Sequence, residues 1–413
     1  MRLASFVSTT LGKLVESGIG FISTGPFGSQ LHAHDYVDDG VPVVMPQQLG
    51  DNQINTDGIA RITEADRDRL KRHIMREGDI VFSRRGDVTR RAYISAEQSG
   101  WLCGTGCLLV RLVHPDCDNR YLARFLGLHQ TRNYLIQHAV GATMPNLNQG
   151  ILASVPVTLP TRSEQKRIVD IACVYDDLIE NNRRRIQLLE QAARLLYKEW
   201  FVHLRFPGHE HVKITNGVPD GWEQKCMSDV AEFRLGKMLD QKKNRGDLMP
   251  YLANINVRWG EFELTDLREM RFESHEIETF GLKYGDIVMC EGGEPGRCAI
   301  WKNQLPGMMI QKAIHRIRPR VGLDYRYLYY LLFHKAISGQ LAMLFTGATI
   351  KHLPREKLAK VVIEIPPASL INLFRGQVEP IENQIDTLQS NIRLATKARD
   401  LLLPRLMNGT IPV

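Results

Sequence analysis

Residues 83–91 read Ser-Arg-Arg-Gly-Asp-Val-Thr-Arg-Arg, placing four arginines around a glycine turn just after a short apolar run. A guanidinium presents a planar fork of donors that matches a phosphate or the edge of a guanine, and a loop is narrow enough to enter a major groove. Arg84, Arg85, Thr89, Arg90 and Arg91 are therefore candidates for contact with a polyanion, and the competing reading is a solvated basic hairpin. Gln47 and Gln48, with Asn254 and Asn256, carry amides at or after the end of a strand, a chemistry that suits adenine. Lys237, Lys242, Lys243 and Arg245 form a basic loop assigned first to phosphates. Thr143, Asn146 and Asn148, and again Thr349, Lys351 and His352, follow a Gly-Ala-Thr turn. Glu291, Glu294 and Arg297 form an acidic counterpart of the arginine loop, in which a carboxylate could accept from a cytosine amino group. For each of these groups a solvated surface stays open beside the nucleic-acid reading. Phe27, in the tight turn Gly25-Pro26-Phe27-Gly28, reads as a structural anchor.

Reaction chemistry is harder to find. Both Gly-Lys pairs, Gly12-Lys13 and Gly236-Lys237, lack the upstream glycine and following hydroxyl of a phosphate cradle. There is no G-x-G-x-x-G opening a helix, no G-x-S-x-G elbow and no Asn-Pro-Pro or Asp-Pro-Pro run. His203, His209 and His211 fall in a Gly/Pro-rich connector and read as solvated linker histidines; Cys103 and Cys107 read as small core residues, so no metal site is expected. With 413 residues the chain is long enough for several domains. Fifty-three Lys+Arg against 46 Asp+Glu leave a formal charge of +7, an excess that suits a polyanionic partner. An odd set of seven cysteines without C-x-x-C pairs, an N-terminus without a signal-peptide core and no apolar run of membrane-spanning length lead us to expect a reduced, soluble, cytoplasmic protein with no membrane partner.

The elements that position these residues come twice. Gly78-Asp79-Ile80-Val81 recurs as Gly285-Asp286-Ile287-Val288, a shift of 207, and at that shift Gly86, Arg90, Ala92 and Arg111 meet Gly293, Arg297, Ala299 and Arg318. One residue is then lost. At a shift of 206, Arg120-Tyr121-Leu122 matches Arg326-Tyr327-Leu328 and Gly141-Ala142-Thr143 matches Gly347-Ala348-Thr349. The chain is a tandem duplication. In each copy short β-branched runs come first (41–45, 79–83 and 107–112; 250–254, 286–290 and 314–317), and a helix follows the Arg-Tyr-Leu motif. A strand ending at a proline (155–159; 361–365) then leads into a long helix.

Thr161-x-x-Glu164 fits a capping box at the start of the first long helix. Ile168, Tyr175, Asn182, Leu189 and Leu196 repeat every seven residues, flanked by Ala172, Ile179, Ile186, Ala193 and Trp200. The second copy offers Phe374, Ile381, Leu388, Ala395 and Leu402, flanked by Val378, Ile385, Ile392, Arg399 and Leu406, so only Arg399 breaks the stripe. Two helices of about 50 Å, at 1.5 Å per residue, pack most simply on each other and antiparallel. Pro380 predicts a kink or restart in the second. Leu188, Leu195 and Phe201 are apolar residues that one seam cannot use, available to a docking partner or to the adjacent globular domain. The run Arg183-Arg184-Arg185 reads as a solvated helix face, or as a phosphate contact should the helices pass over DNA.

With Thr24-Gly25-Pro26-Phe27-Gly28-Ser29, the Gly-Asp-Ile-Val strand, Asn146-Leu147-Asn148, Glu164-Gln165 and Pro219-x-Gly221-Trp222 in this order, the whole chain resembles the DNA-specificity subunit of type I restriction–modification enzymes. The second half departs from the pattern at Leu370-Ile371, where Glu-Gln would stand, and near 234–244, which has no Gly-Pro-Phe-Gly. The resemblance implies an α+β fold: two pseudo-symmetric mixed α/β target recognition domains separated by a pair of long antiparallel coiled-coil helices. The expected boundaries are 1–160 and 204–368 for the recognition domains, the latter including the connector, and 161–203 and 369–409 for the spacer helices. It also implies recognition without catalysis. Each half would read one part of a bipartite, asymmetric sequence in double-stranded DNA, with the helices setting the spacing. The partners implied are two methyltransferase subunits and, optionally, translocase–nuclease subunits. S-adenosylmethionine, ATP and magnesium would belong to those partners, with no cofactor bound by this chain. The alternatives are a self-contained DNA-modifying or DNA-cleaving enzyme with a diverged motif, and a scaffold whose two halves bind protein.

Overall fold

A computed structural model describes residues 6–141, 144–240 and 244–413. Thr143, Lys242 and Lys243, three of the candidate residues, lie outside the described residues. The chain divides into two compact units, residues 1–181 with 391–413, and residues 182–390.

In the first unit a four-stranded antiparallel sheet runs in the order Ile19–Thr24, Cys107–Val113, Ile80–Ser83, Arg91–Tyr93. Its inner strand is buried on both faces: Ile80 and Phe82 enter one core cluster with Leu108, Tyr121 and Ile168, while Val81 enters another with Val44, Met75 and Leu109. That two-sided burial explains why the run is continuously apolar rather than alternating. A second sheet orders Tyr36–Val37, Arg61–Ile62, Val41–Val44 and Leu102–Cys103, the last pair parallel, and Val7–Thr10 pairs with Pro156–Leu159.

The second unit repeats the plan. Ala231–Leu235, Ile314–Pro319, Ile287–Cys290 and Cys298–Ile300 form its four-stranded sheet, Ile287 and Met289 facing one cluster and Val288 and Cys290 the other. Arg268–Phe272, Asp247–Leu252 and Met309–Ile310 make a three-stranded sheet, and Glu223–Cys226 pairs with Val362–Ile365. The duplication extends to single hydrogen bonds. Tyr121 Oη donates to Thr158 O at 3.0 Å and Tyr327 Oη to Glu364 O at 2.5 Å; Asp118 and Asp324 each cap the following helix through the amide two residues on.

One difference between the copies has a packing cause. The Arg-Tyr-Leu motif lies inside its helix in both, but the second copy runs unbroken over Tyr325–Ile337 whereas the first splits into Asn119–Phe125 and His129–His138. Gly127 sits in the break, and a Cβ there would collide with the Arg91 guanidinium. At the matching places the second copy has Phe333 and Cys298, so a large residue over a small one has been exchanged between the two positions.

The long helices span Arg162–Tyr197 (36 residues) and Ala368–Met407 (40 residues). The capping box forms: Thr161 N donates to Glu164 Oε2 at 3.0 Å and Glu164 N to Thr161 Oγ1 at 3.4 Å. Within the first unit Ile168 shares a cluster with Leu406 while Asp176 reaches Arg399 at 2.7 Å, so the two segments run antiparallel. Arg399, the one break in the apolar stripe, is thus neutralised by a partner on the facing helix. Within the second unit the last turns of the first helix meet the first turns of the second, with Tyr197 and Trp200 about the Phe374 ring at centroid distances of 6.2 and 6.0 Å, again antiparallel. Phe201 packs against its globular unit, one of the two expected fates, buried against Tyr327 and Phe374 because the helix ends in a π turn, Lys198–Val202, that carries it into the core.

The helix does not restart at Pro380; it continues through it. Proline removes the bond to the carbonyl of Gly376, but both residues are exposed, so water can take that carbonyl. Phe374 and Val378 before the proline and Glu382 and Ile385 after it are buried and hold the flanking turns.

Candidate nucleic-acid interface

In the first unit the inner strand ends at Ser83, whose Oγ donates to Arg85 O at 2.8 Å and starts the loop 84–90. A second turn, 140–146, is stitched to that loop: Leu147 N donates to Arg84 O at 2.9 Å, Gly86 N to Pro145 O at 3.2 Å, and Arg84 Nε to Asn146 Oδ1 at 3.3 Å. Gly86 has φ +75°, the left-handed region that lets the loop reverse. Arg85 is exposed and Arg84 half-buried. Arg90 is half-exposed and pairs with Asp87 at 3.2 Å. Partial burial pushes the Asp87 carboxyl up, but hydrogen bonds from Thr89 and the Arg90 guanidinium outweigh it, leaving the group below the usual aspartate value. Thr89 is spent on that turn through its amide and hydroxyl.

Arg91 is not a reader. It lies in the strand Arg91–Tyr93, buried, with Nε donating to Ala123 O at 2.6 Å and Nη1 to Asp51 at 2.8 Å. The strand's two-residue alternation turns it inward beside Gly127, away from the face that carries Arg90. Gln48 is likewise corrected to a structural role: it is buried, and its Oε1 caps the turn by accepting from Met45 N at 3.2 Å. Gln47 beside it is exposed. Asn148 is exposed but caps the helix Gln149–Ala153, its Oδ1 accepting from Ile151 N at 2.8 Å.

The second unit builds the same pair of loops from different chemistry. Leu353 N donates to Glu291 O at 2.8 Å, and Thr346 and His352 exchange both backbone bonds at 2.8 Å. Glu291, expected to accept from a base, faces His352 Nδ1 at 3.0 Å. Glu294 accepts from Trp259 Nε1 at 3.0 Å and pairs with Arg297 at 2.7 Å. Arg297 donates in turn to Asn254 O at 2.8 Å, and Asn254 Nδ2 to Gly292 O at 3.3 Å. Glu291, Glu294, Arg297 and Asn254 thus tie three loops together, with Glu294 still exposed. Asn256 is buried and caps its own turn through Ala253 N. Lys237, expected on phosphates, is buried against Glu276 and the Arg271 carbonyl. Thr349 and Lys351 are exposed on the turn 346–352, His352 is half-buried, and Arg245 is exposed elsewhere on the unit.

The sequence reading missed the carboxylates that claim these cations. For Arg90 and Arg297 the signal was present, an acid three residues earlier in each copy. For Lys237 and Arg91 none was, since Glu276 and Asp51 lie 39 and 40 residues away. Asp51 itself is pushed up by burial and pulled further down by Arg91 and Arg132, ending below the usual aspartate value.

Among the described residues, the groups with metal-ligand composition are His32, His34 and Asp35, and Glu273, His275 and Glu276. Asp35 lies 3.5 Å from Arg69, and Glu276 is paired with Lys237. A cavity of about 620 Å³ in the second unit is lined by Asp286, Arg318, Tyr325 and Arg375 among others, and one of about 390 Å³ in the first by Asp51, Arg132, Asp176 and Arg399 among others. No helix among the described residues is long and apolar enough to cross a membrane.

The profile of the family described as "Type I restriction modification DNA specificity domain" matches this chain twice, over residues 33–191 and 219–373. The MjaIX specificity subunit of a type I restriction enzyme from Methanocaldococcus jannaschii is 22% identical, covering 99% of this chain and 96% of its own. The HindI specificity subunit from Haemophilus influenzae is 23% identical over 82% of this chain and 87% of its own. The crystal structure of a type I restriction–modification S subunit from M. genitalium matches with a TM-score of 0.55 at 14% identity, covering 98% of this chain and 97% of that one, a likeness of fold.

Proposed function

Because the chain belongs to the type I restriction–modification DNA specificity family, we propose that it is the sequence-recognition subunit of such a complex, each unit reading one part of a bipartite, asymmetric site in double-stranded DNA. The observation that carries this reading is the double match of the specificity domain, one match to each copy of the repeat. In the first unit the reading surface is the loop pair with Arg84, Arg85 and Arg90, joined to Asn146; in the second it is the turn with Thr349, Lys351 and His352. Arg85 and Lys351 are the residues to assign to bases or phosphates first, because the carboxylates nearby are taken by Arg90, Arg297 and the His352 ring.

The chain recognises and leaves chemistry to its partners. Two methyltransferase subunits would dock, one per copy, bringing S-adenosylmethionine, and a translocase–nuclease using ATP and magnesium would join them. The docking surface is offered by leucines that recur at equivalent places on the long helices: Leu188 and Leu195 are 57% and 59% exposed, and Leu394 and Leu401, 206 residues on, are 66% and 56% exposed. The site of action is the cytoplasm.

Reconstitution with the methyltransferase encoded beside it tests the proposal. The complex should methylate one bipartite sequence, contain two methyltransferases per chain, and lose one of them in Leu188→Lys/Leu195→Lys. Methyl transfer by the purified chain alone, or a complex without sequence preference, would overturn it.

A further inference from the structure

Two turns at repeat-equivalent places carry an exposed apolar side chain that neither core uses. In the first unit Val140 and Asn146 close a turn by exchanging backbone bonds of 3.0 and 2.9 Å, and Met144 within it is 62% exposed. In the second, Thr346 and His352 close the matching turn, and Ile350, 206 residues on from Met144, is 63% exposed. Gly141 and Gly347 both have positive φ, +110° and +93°. At each, an added Cβ would run into the carbonyl of the residue three further on, Met144 or Ile350. Each glycine is therefore what allows the chain to fold back so tightly over the carbonyl of the exposed residue.

A lone exposed apolar residue is ordinary on a protein surface. The same exposure at the same place in both copies is not explained by burial in either core, whereas the exposed Val140 of the first turn has Thr346 at its place in the second. Charge narrows the partner. Met144 shares its turn with Asn146, bridged to Arg84 and Arg85, and Ile350 precedes Lys351 and His352. Arg84 and Arg85 beside the first turn, and Lys351 next to Ile350, fit a polyanion with apolar groups between its charged rows. Duplex DNA has that chemistry, since thymine methyls line the major groove between the phosphate backbones.

We propose that Met144 and Ile350 are specificity-determining contacts, each resting on a thymine methyl at one base pair of its own half-site. The inference builds on the DNA-recognition reading above. A flexible thioether and a stiff β-branched chain fill space differently, so the two halves select different surroundings for that thymine.

The test uses the full chain in complex with its methyltransferase. Thymines of the target are replaced one at a time by deoxyuridine, which removes only the methyl group, for wild type, Met144→Ala and Ile350→Ala. In wild type one replacement in each half-site should weaken binding about 4-fold, the value of one buried methyl group. Met144→Ala should abolish that sensitivity in one half-site and keep it in the other, and Ile350→Ala should do the reverse. Variants that keep the wild-type deoxyuridine profile, or that weaken all sequences alike, overturn the contact, as does a wild-type profile indifferent to every replacement. A wild-type complex that binds all sequences equally overturns the DNA-recognition reading itself, which separates the two failures.

Discussion

The Arg111 guanidinium grips the Asp79 carboxylate with both arms, Nε at 2.9 Å and Nη2 at 2.6 Å, and 207 residues later Arg318 grips Asp286 at 2.6 and 2.7 Å. Each pair ties the edge of the inner sheet strand to its neighbour, and each aspartate also caps the tight turn before its strand by accepting from Arg76 N or Lys283 N at 2.7 Å. Both carboxylates are almost fully buried. Removing one partner of such a pair leaves an uncompensated charge and costs roughly 3–5 kcal/mol. Asp79→Asn should therefore destabilise the first unit, and hydrogen exchange should show lost protection in Ile80–Ser83 and Cys107–Val113 while Ile287–Cys290 keeps its own. Asp286→Asn should give the mirror image. Equal loss in both units from either variant would contradict the placement of these pairs.

Arg85 and Arg91 lie six positions apart in one loop-and-strand segment but have opposite expected phenotypes. Arg85→Ala removes an exposed side chain, so stability should stay within about 0.5 kcal/mol while DNA binding weakens. Arg91→Ala leaves Asp51 with Arg132 alone and opens space over Gly127, costing roughly 3 kcal/mol. Denaturant melts and binding measurements on the two variants check this. The account is wrong if Arg91→Ala melts like wild type.

His315 is a buried imidazole on the strand Ile314–Pro319, with Nε2 at 2.7 Å from Leu353 O. Burial pushes its pKa below the ordinary 6.5; the bond to Leu353 and the charges of Glu291 and Glu356 oppose that shift, and Arg355 adds to it. Above 6.5 both folded and unfolded imidazoles are neutral and the group is indifferent to pH. As pH falls below it the unfolded chain takes a proton that the folded one resists, so stability is lost. The first copy has Leu108 at this place. His315→Leu should therefore gain thermal stability relative to wild type as pH drops from neutrality towards 5, and a difference that stays flat would refute the assignment.

Much of the fold could be read from the residues because the repeat is nearly gapless. The Gly-Asp-Ile-Val strands, the Thr161–Glu164 cap and the heptad stripe each declare a local rule that packing then honours. Pro380 shows the limit of such a rule: a restart is avoided when the orphaned carbonyl is exposed to water and both flanks are buried. The candidate site was less legible. Composition marks where cations and amides gather, but whether a cation faces solvent depends on carboxylates distant in sequence, as Asp51 for Arg91 and Glu276 for Lys237. The exchange of Arg91 and Gly127 for Cys298 and Phe333 is visible only once the helix break has brought the two positions together.

The central claim is that two separate readers share one chain. The measurement that tests it most directly is the base-preference profile of the reconstituted complex on a panel of single-base target variants, for wild type, Arg84→Ala/Arg85→Ala and Thr349→Ala/Lys351→Ala. The account predicts that the arginine variant changes preference or affinity only in one half-site, by roughly 1–3 kcal/mol for a base-edge contact, and that the Thr349/Lys351 variant does so only in the other. Both variants disturbing the same half-site, or neither disturbing either, would contradict it.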